Sequence, residues 1–417
     1  ISIDFAPVFS RQERGFMNLI DRKQYLDWLI SWKDSHVIKV VSGVRRSGKS
    51  KLFEIYRSYL RDHGITGDQV ISLNFEDLEF ESLTSYRALY DYISARLVPD
   101  KMNYVFLDEI QHVEHFEKAV DSLFIKDNVD LYITGSNAYL LSSELATLLS
   151  GRYVELKMLP LSFKEFCSAK TNDGKAPAQL FDEYITRGSF PFIAETGIQG
   201  PQARDYLMSL YDTIVIRDVI ERLKVSDVPT LRDITKFLLH SIGNRISIKK
   251  ISDTLSSNGN KTDQKTVAKY LKGLTDSLVL YFAPRYNVRG RQLLSTNGKY
   301  YAVDLGLRGA LVKTQSSDIG HILENVVYLE LLRRGYDVYV GDIDGGEIDF
   351  VALKSDETAY FQVSATTLDE TTLNRELAPF KKVRDNYPKT LLTLDTLFAD
   401  ANYEGVRKRN VIDWLLE

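Results

Sequence analysis

One stretch of eight residues limits what this chain can fold into more than any other. Gly43-Val44-Arg45-Arg46-Ser47-Gly48-Lys49-Ser50 fits the pattern GxxxxGKS, and its neighbours supply the context that the pattern requires. Before it, His36-Val37-Ile38-Lys39-Val40-Val41-Ser42 reads as a short buried strand. After it, Lys51 to Leu60 carries apolar residues at helical spacing. The loop is therefore predicted between the end of a strand and the N-terminus of a helix, where free backbone N–H groups and the positive helix end cradle phosphate. In that setting Gly43 to Lys51 line a nucleotide, Lys49 reaches its β- and γ-phosphates, and the Ser50 hydroxyl ligates Mg²⁺.

A second element lies where such a loop needs it. Tyr104-Val105-Phe106-Leu107 is an apolar strand ending in Asp108-Glu109, a Walker B pattern. In that pattern the aspartate orients Mg²⁺ through water and the glutamate activates the attacking water. A third strand, Val129 to Ile133, runs into Thr134-Gly135-Ser136-Asn137, which puts Ser136 or Asn137 in reach of a γ-phosphate or the lytic water. Val70 to Phe75 and Tyr153 to Leu156 supply two more strands. The expected fold is α/β, a parallel P-loop NTPase sheet with helices on both faces and the nucleotide at the strand C-termini.

The order GxRRxGKS, LDEIQ, ITGSNA, LSGR, LPLSFKEF and RGSFP resembles the bacterial and archaeal AAA+ ATPase family in which an AAA_14 domain is paired with a DUF4143-type C-terminal region. The resemblance spans nearly the whole chain and implies ATP hydrolysis with Mg²⁺. It also implies an arginine that stabilises transition-state charge, often across a subunit interface. Arg152, in Leu149-Ser150-Gly151-Arg152, is the first candidate and Arg217 the second; a homo-oligomer is expected for the same reason.

With 417 residues the chain exceeds the roughly 250–300 at which a single core stops growing, so several domains are expected. Hydrophobic content of 44% and charged content of 26% are those of a soluble globular protein, and no apolar run approaches the ~18 residues of a membrane span. The single cysteine, Cys167, excludes an internal disulfide or a multi-thiolate metal site. The chain opens on polar residues rather than an apolar signal core, and a cytoplasmic location is expected. A net charge of −4 means that any nucleic-acid surface must come from local segregation of charge.

The expected divisions are an ATPase domain at 1–160, a helical lid or linker at 161–228, a winged helix at 229–312 and a nuclease-like domain at 313–417. Three predicted helices, near 231–239, 248–255 and 263–277, precede strand-like runs at 279–283 and 299–303, the pattern of a winged helix. Lys265, Lys269 and Lys272 share one face of the third helix, opposite the Val267, Leu271, Leu274 and Leu278 stripe. With Arg285, Arg289, Arg291 and Lys299 in the wing, residues 229–300 are expected to meet double-stranded DNA.

The final hundred residues are similar to a PD-(D/E)xK restriction-endonuclease core, in which a helix glutamate, a strand aspartate and an E-x-K triplet hold Mg²⁺. Glu324 and Asp349 stand at the first two positions, but Gln362-Val363-Ser364 replaces the triplet's acid and lysine. Cleavage is expected to be lost. The leading expectation is an ATPase that couples its nucleotide state to DNA. The alternatives are a signalling switch with protein partners only, and an active Mg²⁺-dependent nuclease.

Overall fold

The computed structural model describes residues 20–135, 149, 151–170, 173–257, 259, 262–313 and 318–417. Its first sheet has five strands, β1 (Ile38–Gly43), β2 (Val70–Asn74), β3 (Asn103–Asp108), β4 (Val129–Thr134) and β5 (Tyr153–Met158), in the order β2-β3-β4-β1-β5. All four pairings are parallel, which requires crossover connections, and helices α1 (Lys23–Ser31), α2 (Lys49–Asp62), α3 (Tyr86–Ser94) and α4 (Phe116–Phe124) flank the strands. This is the expected α/β sheet. Every residue of β1, β3 and β4 is buried, as strands covered on both faces must be, and their apolar runs follow from that.

Helix α2 is fixed to the sheet by aromatic packing. Phe53 meets Phe106 edge-on with ring centroids 5.1 Å apart, and the hydroxyls of Tyr56 and Tyr132 lie 2.9 Å apart. Removing a buried ring of this kind costs about 3–5 kcal/mol. The helix that begins at Lys49 is thus held rigidly beneath the end of β1.

A helical segment follows, with α5 (Phe163–Ala169), α6 (Pro177–Arg187), α7 (Pro191–Thr196) and α8 (Gly200–Thr213), the last continuing into a π-helical stretch, Ile214–Glu221. The RGSFP motif ends α6. A Cβ at Gly188 would lie 2.3 Å from Asp304 Oδ1, so the buried Asp304 carboxylate, which also accepts from Ser189 Oγ at 2.8 Å, demands glycine there. Cys167 is half-buried against this core, and burial pushes its thiol up to about 11.

Helices α9 (Val228–His240), α10 (Ile248–Ser257) and α11 (Gln264–Asp276) then precede a second sheet. Its strands are β6 (Arg245–Ile246), β7 (Leu280–Asn287), β8 (Gln292–Ala302), β9 (Asp337–Ile343), β10 (Gly346–Lys354), β11 (Glu357–Val363), β12 (Lys389–Thr393), β13 (Asn402–Tyr403) and β14 (Val406–Asn410). They form one nine-stranded sheet in the order β13-β14-β12-β11-β10-β9-β7-β8-β6, packed by α12 (Leu305–Leu311), α13 (Ile319–Arg333), α14 (Glu370–Lys381) and α15 (Val411–Leu416). The expected boundary at 312/313 therefore does not separate two sheets, because β7 pairs with β9 in parallel across it. One hydrophobic core runs from the helical segment through the three-helix unit to Trp414. Among the described residues no helix is long and apolar enough to cross a membrane.

Candidate functional site

The loop between β1 and α2 turns on two glycines. A Cβ at Gly43 would lie 2.4 Å from the Met158 carbonyl oxygen, and Gly48 takes φ 103° directly before α2. Lys49, the first residue of the helix, is buried, and its Nζ donates to the carbonyls of Gly43 at 3.1 Å and Val44 at 3.4 Å. Its ion-pair partner, Glu109 Oε1, is 3.9 Å away. Ser47 Oγ is buried with no hydrogen-bond partner among the described residues. A buried ammonium held by carbonyls, an orphaned hydroxyl and a helix N-terminus together fit the phosphates of a nucleotide. Val44 packs into the core, Arg46 and Ser50 are exposed, and Lys51 points outward to Glu54 at 2.8 Å.

Asp108 and Glu109 arrive at the same edge from β3. Thr134, the last residue of β4, donates to Asp108 Oδ1 and accepts the Glu109 backbone N–H at 3.0 Å. One hydroxyl thereby orients both acids. Burial raises the Asp108 pKa, while hydrogen bonds from Ser50 and Thr134 and the charge of Lys49 pull it down. Glu109 has φ 54°, a left-handed conformation that costs a non-glycine residue roughly 1–2 kcal/mol, and Gln111 Nε2 donates to its Oε2 at 2.6 Å.

Three site residues carry no local motif. Thr134 was legible only as the start of a polar turn. Arg22, buried, donates to the Ser47 carbonyl at 3.0 Å and the Leu159 carbonyl at 2.7 Å and pairs with Glu165 at 2.9 Å, pinning the loop to the head of α5. Asp218, on the π-helical stretch, accepts from Arg45 Nε at 3.3 Å.

Of the other expected residues, Ser136 and Asn137 lie outside the described residues, as does the Arg217 side chain. Arg152 is not brought to its own chain's loop. It precedes β5 where Tyr153 pairs with Ile38, at the start of β1, whereas the loop leaves Gly43 opposite Met158. The five intervening residue steps span roughly 16 Å of strand. There Arg152, half-exposed, lies 3.9 Å from Asp121 and over the Phe124 ring at 5.6 Å.

The basic wing is also corrected. Because β9 lies beside β7, acids in it and in the turn after it neutralise the bases: Arg285 pairs with Asp342 at 2.7 Å and Arg289 with Asp344. Lys299 is buried rather than displayed, 3% exposed, with Nζ 2.8 Å from Glu324, 2.7 Å from Glu347 and 3.6 Å from Asp349. Arg291 is exposed. Burial works against the Lys299 charge, yet the surrounding carboxylates raise its pKa. Burial raises the Asp349 pKa well above the carboxylate range, with Glu324 adding and Lys299 opposing. Gln362 is turned away from a ligand role, since its Nε2 donates to Glu376 at 2.9 Å and its Oε1 accepts the Asp349 N–H at 3.3 Å.

Residues 35–167 match the AAA_14 family, an AAA domain, and residues 178–318 match DUF8612, a domain of unknown function, where the resemblance had implied DUF4143. An uncharacterized protein of Haemophilus influenzae is 41% identical over 402 residues, covering 96% of this chain and 99% of its own length. Another from Methanocaldococcus jannaschii is 30% identical over 397 residues, covering 90% of this chain and 85% of its own. Among solved structures, a Walker-type ATPase of Pyrococcus abyssi aligns at 16% identity over 70% of this chain and 95% of that one, with a TM-score of 0.48.

Proposed function

The chain belongs to one family with the uncharacterized proteins of Haemophilus influenzae and Methanocaldococcus jannaschii and carries an AAA domain at residues 35–167, and on that premise we propose that it binds ATP with Mg²⁺ at Gly43–Ser50 and hydrolyses it. The observation that supports this most is the meeting of Lys49, Asp108 and Glu109 at one sheet edge, with the lysine hydrogen-bonded to carbonyls and no closer than 3.9 Å to Glu109. Lys49 neutralises the terminal phosphates, and the backbone of the loop donates to them. Ser50 and Asp108 are the residues that would hold Mg²⁺, which when bound supplies positive charge to the phosphate oxygens. Glu109 accepts the proton of the attacking water, held in place by Thr134 and Gln111. Ser136 or Asn137 acts as the sensor, and Arg152 completes the site of a neighbouring subunit in a homo-oligomer.

Glu109→Gln separates binding from chemistry. We expect Mg·ATP to bind to this variant as to wild type while turnover falls by about 10²–10⁴-fold, the range of general-base catalysis. Undiminished hydrolysis removes Glu109 from this role.

For the C-terminal half, α9 to α11 with β6 to β8 read as a winged helix and the remaining strands as a nuclease-like fold without cleavage. Duplex DNA is the partner favoured by one observation: Lys265, Lys269 and Lys272 stand exposed along α11, Lys272 paired with Asp276 at 2.9 Å. Filter binding across a salt series is expected to give a steep slope. A flat one favours a protein partner instead.

A further inference from the structure

The Arg45–Asp218 contact joins the phosphate loop to a distant part of the chain, 173 residues away. Arg45 lies within the loop itself, yet its guanidinium is turned to Asp218, with Nη1 a looser 3.5 Å from Glu76. Both partners are enclosed, Arg45 at 12% and Asp218 at 3% side-chain exposure. Burial works against the Arg45 charge, but Asp218, Glu109 and Glu76 together raise its pKa. Burial raises the Asp218 pKa, with Arg45 and Lys49 pulling against it. Both side chains therefore lie within electrostatic reach of the Lys49 and Glu109 end of the loop.

Asp218 belongs to the π-helical stretch Ile214–Glu221, a winding that adds a residue per turn and recurs at functional positions. The other side of this stretch touches α11. A Cβ at Gly273 would lie 2.5 Å from Leu223 Cδ1 and 2.9 Å from Val219 Cγ1, so helix and stretch are in direct contact with no slack. Arg222 pairs with Asp276, the last residue of α11, at 3.4 Å. The short segment from Asp218 to Leu223 thus grips the phosphate loop through Asp218 and the lysine-bearing helix through Val219, Arg222 and Leu223.

We propose that Asp218 is a positioning residue of the nucleotide site, holding Arg45 for the terminal phosphate and passing the occupancy of the loop to α11 through the π-helical stretch. The proposal rests on the ATP reading above. A carboxylate fixed on Nε leaves Nη2, and Nη1 where it gives up the looser Glu76 contact, for a phosphate, which the guanidinium's planar fork suits. When a phosphate draws on Arg45, Asp218 must follow the guanidinium that pairs with it or remain as poorly compensated buried charge. Val219 and Leu223 move with it, and Gly273 has no free space to absorb the shift.

The test uses the full chain, wild type and Asp218→Asn, with Arg45→Gln as the second variant should the first fail to fold. Calorimetry reads affinity for Mg·ATPγS and for Mg·ADP, and amide hydrogen exchange reads residues 264–276 with and without Mg·ATPγS. In wild type, ATPγS is expected to change exchange in that window. In either variant ATPγS affinity falls about tenfold, ADP affinity stays within about twofold, and the exchange response is lost. Variants that match wild type in both readouts overturn the proposal, as does an α11 indifferent to ATPγS in wild type. Absent binding of ATPγS and ADP to wild type overturns the ATP reading itself, and this inference with it.

Discussion

Two lysines gathered with acids at the ends of two sheets occupy opposite electrostatic circumstances. Lys49 is buried among carbonyl oxygens, and its carboxylate neighbour Glu109 stands 3.9 Å off. Lys299 is buried among carboxylates, with Glu347 at 2.7 Å and Glu324 at 2.8 Å. The first ammonium has charge to offer a ligand. The second is already neutralised by its own chain. Open and closed sites thus differ less in which residues they contain than in whether the counter-charge is internal. Motif matching misses that difference.

The strongest way to break this contrast is to remove the internal cation. Lys299→Met leaves Glu324, Glu347 and Asp349 facing one another, and the loss of one partner from a buried ionic cluster costs about 3–5 kcal/mol, to be read by denaturant unfolding. The cost should depend on pH. Without Lys299 the Asp349 pKa, already raised, rises further, and Glu324 loses a cation that lowers its own, so stability is best preserved at low pH and is lost as pH rises through the raised Asp349 value. Destabilisation greater at pH 8 than at pH 5 is expected; equal losses would mean that the cluster is not a charge balance. If added Mn²⁺ restores the stability of the variant but leaves wild type unchanged, the lysine is standing in for a metal.

A smaller effect probes the open site. Thr134→Ala removes the hydroxyl that links Asp108 to the Glu109 backbone. Turnover should drop about tenfold, the worth of one or two hydrogen bonds, with ATP affinity nearly unchanged. Smaller still is a third charged cluster, in which Lys408 lies 2.8 Å from Asp395. Burial works against ionisation of Asp395, yet hydrogen bonds from Lys408 and Thr366 lower its pKa to about 2. Its contribution is present above the ordinary carboxylate value of about 3.9 and lost as pH falls towards about 2. Asp395→Asn should flatten that acid limb of the stability curve.

What could be read in the sequence was what is contiguous. The strand, glycine-rich turn and helix around Lys49 stand side by side in the chain, and so do Leu107, Asp108 and Glu109. Their chemistry needs no long-range information, and the parallel sheet follows from the buried apolar strands. Lys299 was legible as a base but not as a buried one. Its place depends on β8 and α13 coming together across 25 residues and on Glu347 and Asp349 arriving from β10. The neutralised wing has the same origin, since Asp342 reaches Arg285 only because β9 pairs with β7. Arg22 and Asp218 were silent because a single arginine or aspartate has no pattern. LSGR fixed Arg152 as a candidate but not the end of β5 at which it stands, which lies away from its own chain's loop.

The contrast between the two lysines is tested most directly by titrating Mg·ATP calorimetrically into Lys49→Met and Lys299→Met, each at a temperature where it remains folded. The account predicts that binding heat disappears in the first variant and persists at wild-type affinity in the second. Wild-type affinity in Lys49→Met would contradict it.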